Sequence, residues 1–189
     1  LTIKDGTPFG LAVDRGQIDP MSDDEQADLF ELTQQILNEA GLPAYEVSNH
    51  AVSPEHQSRH NLTYWNGGDW IGVGPGAHGR LSVGGHRFAS EAEHRPEAYI
   101  ANMQTLNTSW TSAQQLDATD IARELLAMGL RPAAGINIDR IEAVTGEALP
   151  RDKMSVFMKQ GWLQLDGPQL SLTPSGRLLA DALTAQLAP

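Results

Sequence analysis

Three short stretches decide the fold: YEVSN at residues 45–49, HNLTYW at residues 60–65 and GVGPGAHG at residues 72–79. A buried strand is predicted over residues 43–47 and a second short strand over residues 70–73. Between them, HNLTYW predicts one helical turn. Binding sites in α/β proteins lie beyond the carboxyl ends of strands. We therefore expect polar groups from all three stretches to meet at one cleft.

The sequence before these stretches predicts a strand, a loop and a helix. Residues 1–4 favour a strand, whereas residues 5–21 carry Pro, Gly and Asp and favour a loop. Ser22 and Glu25 have the spacing of a capping box, in which each side chain bonds the other's amide, and a helix is predicted from there to Ala40. Strand, helix and strand in this order indicate an α/β unit.

The sequence after the glycine-rich loop predicts a hairpin, a helix and a second domain. Gly84-Gly85 separates two strand-like runs, which is a hairpin signal, and Pro96–Leu106 favours a helix with proline in its first turn. From residue 111 onward, three helices, a hairpin and a final helix form a winged-helix-like pattern. The predicted starts of these helices are Asp117 or Thr119, Asp139, Arg151 and Thr173-Pro174.

Composition and charge narrow the classes of function. The chain of 189 residues has no cysteine, so by itself it forms no disulfide and holds no thiolate-bound iron–sulfur cluster. Its formal net charge of −11 disfavours nonspecific binding to nucleic acid or anionic membranes. Residues 1–110 carry a net charge of −9 and residues 111–189 one of −2. We expect the domain boundary at this shift.

The glycine-rich loop suits a ligand that the backbone approaches closely. Gly74, Gly76 and Gly79 can adopt positive φ, and the amides of the loop could bond a nucleoside or a carboxylate. The loop lacks the Gly-Lys-Ser/Thr of a phosphate-binding P-loop. The alternative is a tight turn that binds no ligand.

His60 is predicted to share a helical face with Tyr64 and Trp65. An imidazole beside two aromatic rings suits a flat tetrapyrrole, because the nitrogen can ligate iron and the rings can stack on the macrocycle. An aromatic anchor with a hydrogen-bonded histidine is the alternative. His56 precedes His60 by four residues, but Gln57 stands where a zinc-protease motif needs glutamate, so a zinc site is not expected.

The three stretches resemble, in order and spacing, the second half of HemW-type radical SAM proteins, which are related to the oxygen-independent coproporphyrinogen III oxidases of the HemN family. HNLTYW resembles the HNxxYW signature of these heme chaperones, and residues 124–131 and 172–177 resemble the HemN C-terminal domain. The resemblance implies an α/β fold in which residues 1–110 are the last segments of a partial (β/α) radical SAM barrel with its extension. Residues 111–189 would form a mostly α winged-helix-like C-terminal domain.

The resemblance also implies roles for single residues. It links the HNxxYW segment with heme and makes His60 the candidate iron ligand, while the glycine-rich loop lies near S-adenosylmethionine. The implied heme contacts are His60, Asn61, Tyr64 and Trp65; the implied S-adenosylmethionine contacts are Thr2, Gly74, Gly76, Ala77 and His78; and Glu46, Ser48 and Asn49 are expected as polar groups on the rim.

The function implied is that of a cytoplasmic protein that binds heme and passes it to acceptor proteins. A 4Fe–4S cluster and S-adenosylmethionine would be held mainly by a preceding CxxxCxxC-containing part. Because the chain opens at Leu1 and has no cysteine, we expect it to be the C-terminal part of such a protein, inactive and without a stably bound cofactor. Two alternatives are an oxygen-independent coproporphyrinogen III oxidase of porphyrin biosynthesis and a non-catalytic winged-helix interaction module. No nucleic acid partner and no transmembrane segment are expected.

Overall fold

The structure is a computed structural model that describes residues 3–189. It divides into two compact units, one ending at Pro43 and the other beginning at Ala44. The domain boundary after residue 110 stays a prediction from the sequence. The strand predicted over residues 1–4 lies partly outside the described residues.

The first unit contains helices α1 (Pro8–Asp14) and α2 (Asp23–Glu39). Helix α1 corrects the loop predicted over residues 5–21. Its start is stabilised by Thr7, whose hydroxyl accepts a hydrogen bond from the amide of Gly10 at 3.2 Å. Pro8 follows at the first helical position, where its fixed φ suits a helix and its missing N–H costs nothing. A capping hydroxyl followed by proline therefore outweighs the local content of glycine and aspartate.

The capping box of helix α2 is confirmed. The Ser22 hydroxyl accepts from the Glu25 amide at 3.3 Å, and the Glu25 carboxylate accepts from the Ser22 amide at 2.9 Å. On the predicted apolar side of the helix, Leu29 is 49% exposed and Ile36 is 54% exposed. The cap, rather than burial within this unit, accounts for the start of the helix.

The second unit contains seven helices and two three-stranded antiparallel sheets. The helices are α3 (Arg59–Trp65), α4 (Pro96–Leu106), α5 (Ala118–Gly129), α6 (Ile138–Thr145), α7 (Arg151–Lys159), α8 (Pro174–Arg177) and α9 (Ala180–Leu187), with a 3-10 turn at Pro54–His56. The strands are β1 (His78–Val83), β2 (His86–Ala92), β3 (Trp110–Gln115), β4 (Ile136–Asn137), β5 (Leu163–Asp166) and β6 (Gln169–Leu172). The predicted α/β fold class is confirmed.

The first sheet has the order β1-β2-β3. Its hairpin turns at Gly84 and Gly85, which have φ of +60° and +82°; these positive values are what the predicted tight turn requires. Strand β3 begins at Trp110 and pairs with β2. The polar stretch before it ends helix α4 at Asn107, which has a left-handed conformation.

The strands predicted over residues 43–47 and 70–73 are reduced to isolated bridges. The first segment turns back on itself, because the amide of Tyr45 donates to the carbonyl of Asn49 at 3.1 Å. The side chain of Asn49 also donates to the Glu46 carboxylate, and local bonds of polar side chains compete with a strand ladder. In the second segment, only Trp70 pairs, exchanging two backbone hydrogen bonds with Arg80.

The hydrophobic core lies in the C-terminal part of the chain, where the winged-helix pattern was predicted. Helices α5, α6 and α7 pack with the hairpin of β5 and β6, and the largest fully buried apolar side chains belong to Leu126, Leu130, Ile141, Met154, Leu170 and Leu187. Two details are corrected. Asn137, not Asp139, caps α6, and the predicted final helix is divided into α8 and α9.

Helix α8 makes a close backbone contact at Gly176. A Cβ atom at this glycine would overlap the carbonyl of Trp162, so the backbone of α8 lies directly against the preceding strand region. In residues 3–189, no helix has the length and apolar character needed to cross a membrane.

Candidate functional site

Helix α3 begins where the sequence predicts a helical turn. The hydroxyl of Ser58 accepts from the amide of Asn61 at 3.3 Å, which caps the helix. The amide of Ser58 donates to the hydroxyl of Tyr45 at 3.2 Å. This bond brings the YEVSN stretch against the start of the HNLTYW helix, so two of the three stretches are neighbours.

His60 projects from α3 as an exposed side chain. Its ring meets the ring of Tyr64 edge to face, with centroids 4.6 Å apart and planes at 76°. The predicted pairing of His60 with Tyr64 is therefore confirmed. Trp65, predicted on the same face, instead packs against Arg131. Within residues 3–189, no hydrogen bond engages either ring nitrogen of His60. An imidazole nitrogen that makes no hydrogen bond is sterically open to a metal ion.

The row of rings continues from Tyr64 to Trp70, whose centroids are 4.7 Å apart with planes at 89°. We refer to His60, Tyr64 and Trp70 as the aromatic row. The guanidinium carbons of Arg80 and Arg87 lie 5.7 Å and 5.9 Å from the Trp70 ring. The sequence did not predict the role of Trp70, because a spacing of six residues across the end of a helix does not indicate a ring contact with Tyr64.

Trp65 has a different environment from the aromatic row. The guanidinium carbon of Arg131 lies 5.3 Å from its ring. Its Nε1 is buried and has no hydrogen-bond partner among the described residues. The YEVSN stretch also contacts the backbone at Arg131, because the carbonyl of Arg131 accepts a hydrogen bond from the amide of Val47 at 3.1 Å. Trp65 therefore contacts the segment after α5, whereas His60 is exposed.

The glycine-rich loop uses its amides inside the chain. The amide of Gly74 donates to the hydroxyl of Tyr99 at 3.3 Å, that of Gly76 to the carbonyl of Glu93 at 2.9 Å, and that of Ala77 to the carbonyl of Gly74 at 3.2 Å. Gly74 and Gly76 have the expected positive φ, +110° and +67°, whereas Gly79 lies in strand β1 without a positive φ. The prediction that these amides bond a ligand is not met in the structure, because each of the three already donates to an acceptor of the chain.

An imidazole that the sequence did not single out covers this loop. A Cβ atom at Gly76 would lie 3.0 Å from Nδ1 of His94. The other nitrogen, Nε2, lies 2.5 Å from a carboxylate oxygen of Glu91. His78, the predicted contact beside the loop, is exposed and pairs with Glu91 in the β1–β2 register. The sequence did not indicate this contact, because Glu91 and His94 lie more than ten residues after the glycines of the loop.

The three predicted rim residues have different environments. Glu46 is 1% exposed, and its carboxylate accepts a hydrogen bond from Asn49. Its backbone forms a bridge with Pro132. Burial lowers the pKa of Arg177, and the charge of Glu46 opposes this shift. Glu46 is therefore a buried group facing the C-terminal module.

Ser48 and Asn49 are exposed. Glu46, His60 and Ala77 have different hydrogen-bond and ring partners. The carbonyl of Ala77 accepts a hydrogen bond from the amide of Ala92 at 2.9 Å, whereas His60 contacts Tyr64 and Glu46 contacts Asn49. Thr2 lies outside the described residues.

An ion pair joins the first sheet to helix α5. Nε of Arg80 lies 2.9 Å from both carboxylate oxygens of Glu124, and Nη2 lies 2.6 Å from one of them. The side chains are only 18% and 28% exposed. Charge-assisted contacts with this forked geometry are stronger and more directional than a single surface ion pair.

The described residues place no group of three or more His, Cys, Asp or Glu side chains around a common metal position. The chain as a whole has no cysteine, so it supplies no thiolate to an iron–sulfur cluster. A single histidine such as His60 can instead bind a metal ion that is already held within a larger ligand.

Comparison with known proteins finds similarity to members of one family. Residues 116–179 match the HemN C-terminal domain. The chain is 34% identical over 187 residues to the heme chaperone HemW of Mycobacterium tuberculosis, covering 99% of this chain and 45% of that protein. It is 31% identical over 186 residues to the heme chaperone HemW of Escherichia coli, covering 97% and 47%.

A mitochondrial relative in mouse, radical S-adenosyl methionine domain-containing protein 1, is 30% identical over 199 residues, covering 100% of this chain and 45% of that protein. The chain thus spans about half the length of the curated relatives it matches. Among solved structures, coproporphyrinogen III oxidase (HemN) from Escherichia coli, a radical SAM enzyme, matches with a TM-score of 0.65. The match covers 96% of this chain and 45% of that one at 16% identity, a likeness of fold.

Proposed function

Because the chain belongs to the HemW/HemN family, we propose that it carries the heme-binding residues of a heme chaperone, with His60 as the ligand of the heme iron. Two of its relatives above 30% identity are named heme chaperones.

The observation that carries the proposal is the state of the His60 side chain. It is exposed, it is held on one edge by Tyr64, and neither ring nitrogen is bonded within residues 3–189. An imidazole in this state can ligate iron without first breaking a hydrogen bond, and its orientation is partly set in advance. Heme supplies the iron, and the protein supplies the nitrogen and the apolar surface of the neighbouring rings.

The other residues of the HNxxYW motif have supporting parts in this proposal. Tyr64 orients the imidazole by its edge-to-face contact. The amide of Asn61 receives the cap from Ser58, and Trp65 anchors the end of the helix under Arg131. Direct contact of Asn61, Tyr64 and Trp65 with heme remains a prediction of the family resemblance.

S-adenosylmethionine is proposed to lie beside the glycine-rich loop of a longer protein. The predicted contacts are Gly74, Gly76, Ala77 and His78, with Thr2 near the start of the chain. Since three loop amides are engaged, contact would run over the open face of Gly74, where a Cβ atom would meet nothing within 4 Å. The 4Fe–4S cluster would take its thiolates from cysteines outside this chain.

Heme delivery to acceptor proteins is proposed in preference to oxidation of coproporphyrinogen III. The relatives named HemW reach 34% identity, whereas the coproporphyrinogen oxidase matches at 16% and shares the fold. The cytoplasm remains the predicted location, although the mouse relative is named as mitochondrial.

The test is titration of the 189-residue chain with ferric heme, followed by its Soret absorption, in which we expect reversible binding rather than a stably bound heme. We expect His60→Ala to weaken binding by more than about tenfold, because loss of a metal ligand costs at least as much as loss of a residue that orients one. His86→Ala is the matched control, since His86 is also exposed but lies in the β1–β2 hairpin and bonds Gln115. Equal affinity and identical spectra for His60→Ala and the parent chain would refute the assignment.

A further inference from the structure

We infer that Trp70 is a positioning residue for His60, and that the ion pair of Arg80 with Glu124 keeps Trp70 in place. The inference rests on the proposed function only for what the positioned imidazole binds. Its geometry is that of the aromatic row and the two arginines beside it.

The first step is the dependence of the imidazole on rings outside its own helix. Helix α3 has seven residues, and helices this short are unstable without tertiary contacts. Tyr64 holds His60 from one turn away, but the Tyr64 ring itself is met at 89° by Trp70, which lies beyond the end of the helix. Edge-to-face pairs have a preferred geometry, so the orientation of Trp70 passes along the row to His60.

The second step is the fixing of Trp70. Its amide donates to the carbonyl of Arg80 at 2.8 Å, and its carbonyl accepts from the amide of Arg80 at 2.9 Å. The guanidinium groups of Arg80 and Arg87 both lie within 6 Å of the indole centroid, the range of a cation–π contact. Both the backbone and the ring of Trp70 are therefore held by the first sheet.

The third step is the fixing of the Arg80 guanidinium itself. Glu124 accepts from it through both carboxylate oxygens. A lysine at position 80 would keep the charge but lose the planar fork. Glu124 belongs to α5, within the residues that match the HemN C-terminal domain. Through Arg80 and Trp70, the C-terminal domain thus controls the orientation of an imidazole more than 60 residues earlier in the chain.

A purely structural role for Trp70 would alter stability but not the imidazole. The readouts that separate the two roles are taken on the 189-residue chain. One is the NMR contact between the ring protons of His60 and Tyr64 without any ligand, and the other is the affinity for ferric heme. We expect Trp70→Leu to abolish the NMR contact and to weaken heme binding about threefold to tenfold, the range of one aromatic pair.

Conservative variants sharpen the test. Trp70→Phe keeps a ring edge for Tyr64 and should restore both readouts. Arg80→Lys and Glu124→Gln should each weaken the NMR contact and lower heme affinity by a smaller factor than Trp70→Leu. Trp110→Leu is the matched control, because Trp110 is 43% exposed on strand β3, and it should change neither readout.

A folded Trp70→Leu chain with the His60–Tyr64 contact and heme affinity of the parent would overturn the inference. If that variant does not fold by circular dichroism, Arg80→Lys and Glu124→Gln decide, and parental values in both would overturn it equally. The two proposals fail separately. Unchanged heme affinity in His60→Ala refutes the iron ligand, whereas the ligand-free NMR contact still tests the positioning by Trp70.

Discussion

Helix α3 and the glycine-rich loop of residues 72–79 use their polar groups in opposite ways. The helix presents His60 to solvent with both ring nitrogens unbonded within residues 3–189. The loop bonds the amides of Gly74, Gly76 and Ala77 to acceptors of its own chain. The helix therefore presents an imidazole that can bind a ligand, whereas the glycines mainly allow the backbone of the loop to turn.

The same contrast extends to packing. Gly72 lies so close to the carbonyl of His78 that an added Cβ atom would fall well inside 3.0 Å of it, and Gly79 is buried beside Ser90. On α3, by contrast, the His60 side chain could be shortened without leaving a cavity. We therefore expect substitutions in the loop to change mainly the free energy of unfolding, and substitutions on α3 to change mainly ligand binding.

The largest effect on stability is expected for Gly72→Ala. The new methyl group would clash with backbone atoms that cannot move as a flexible side chain can, so we expect a loss of about 3 kcal/mol in the free energy of unfolding. Urea denaturation followed by circular dichroism measures it. Gly84→Ala is the control, because its Cβ would meet nothing within 4 Å and only its φ of +60° opposes the change, a cost of about 1 kcal/mol. Equal losses in the two variants would contradict the packing argument.

A smaller effect is expected for Ser58→Ala, which removes the cap of α3. Loss of an N-cap hydroxyl costs about 1 kcal/mol, and fraying of the first turn should also loosen His60. We expect the same urea measurement to show this loss, accompanied by weaker binding of ferric heme. Ser53→Ala serves as comparison, since Ser53 makes no capping bond and contacts His56. A helix insensitive to Ser58→Ala would mean that tertiary contacts alone define its start.

The smallest effect concerns Asp69, which precedes the glycine-rich loop and accepts a hydrogen bond from strand β1. Donation from the Ser82 amide lowers the pKa of Asp69; burial opposes this shift, and the charge of Arg87 adds to it. Because the folded pKa lies below the unfolded one, the stabilisation is present above the ordinary aspartate range and is lost as pH falls below about 4. Its size should stay under about 0.5 kcal/mol, since the side chain is 42% exposed.

The measurement for Asp69 is the free energy of unfolding between neutral and acid pH. We expect Asp69→Asn to be less stable than the parent at neutral pH and to lose less stability on acidification. Asp166→Asn, at the end of strand β5, is a suitable reference. A parallel pH dependence of Asp69→Asn and the parent would rule out the contribution.

Much of the local structure could be predicted because it depends on neighbours in sequence. The capping box at Ser22, the paired glycines of the β1–β2 hairpin and the cap at Asp117 all act within four residues. The pairing of His60 with Tyr64 is predictable for the same reason. The strands predicted at residues 43–47 and 70–73 failed because a strand needs a partner, and the partner is chosen by the rest of the fold.

The candidate site could be predicted only as a set of separate stretches. Family resemblance identified the HNxxYW helix and the glycine-rich loop, and comparison confirmed the family. The resemblance did not show that Glu46 faces the C-terminal module, that His94 covers Gly76, or that Trp65 lies under Arg131. These contacts join residues with no periodic relation along the chain.

By itself, the sequence determined the capped helices, the glycine turns, the absence of thiolate ligands and the family to which the chain belongs, because these depend on residue type and short spacing. Only the tertiary structure decided that Trp70 continues the aromatic row and that Glu124 reaches it through Arg80. The reason is physical: ring packing and forked ion pairs require atoms within a few ångströms of one another. Such distances between residues 60 and 124 are set by how α3, the first sheet and α5 pack together.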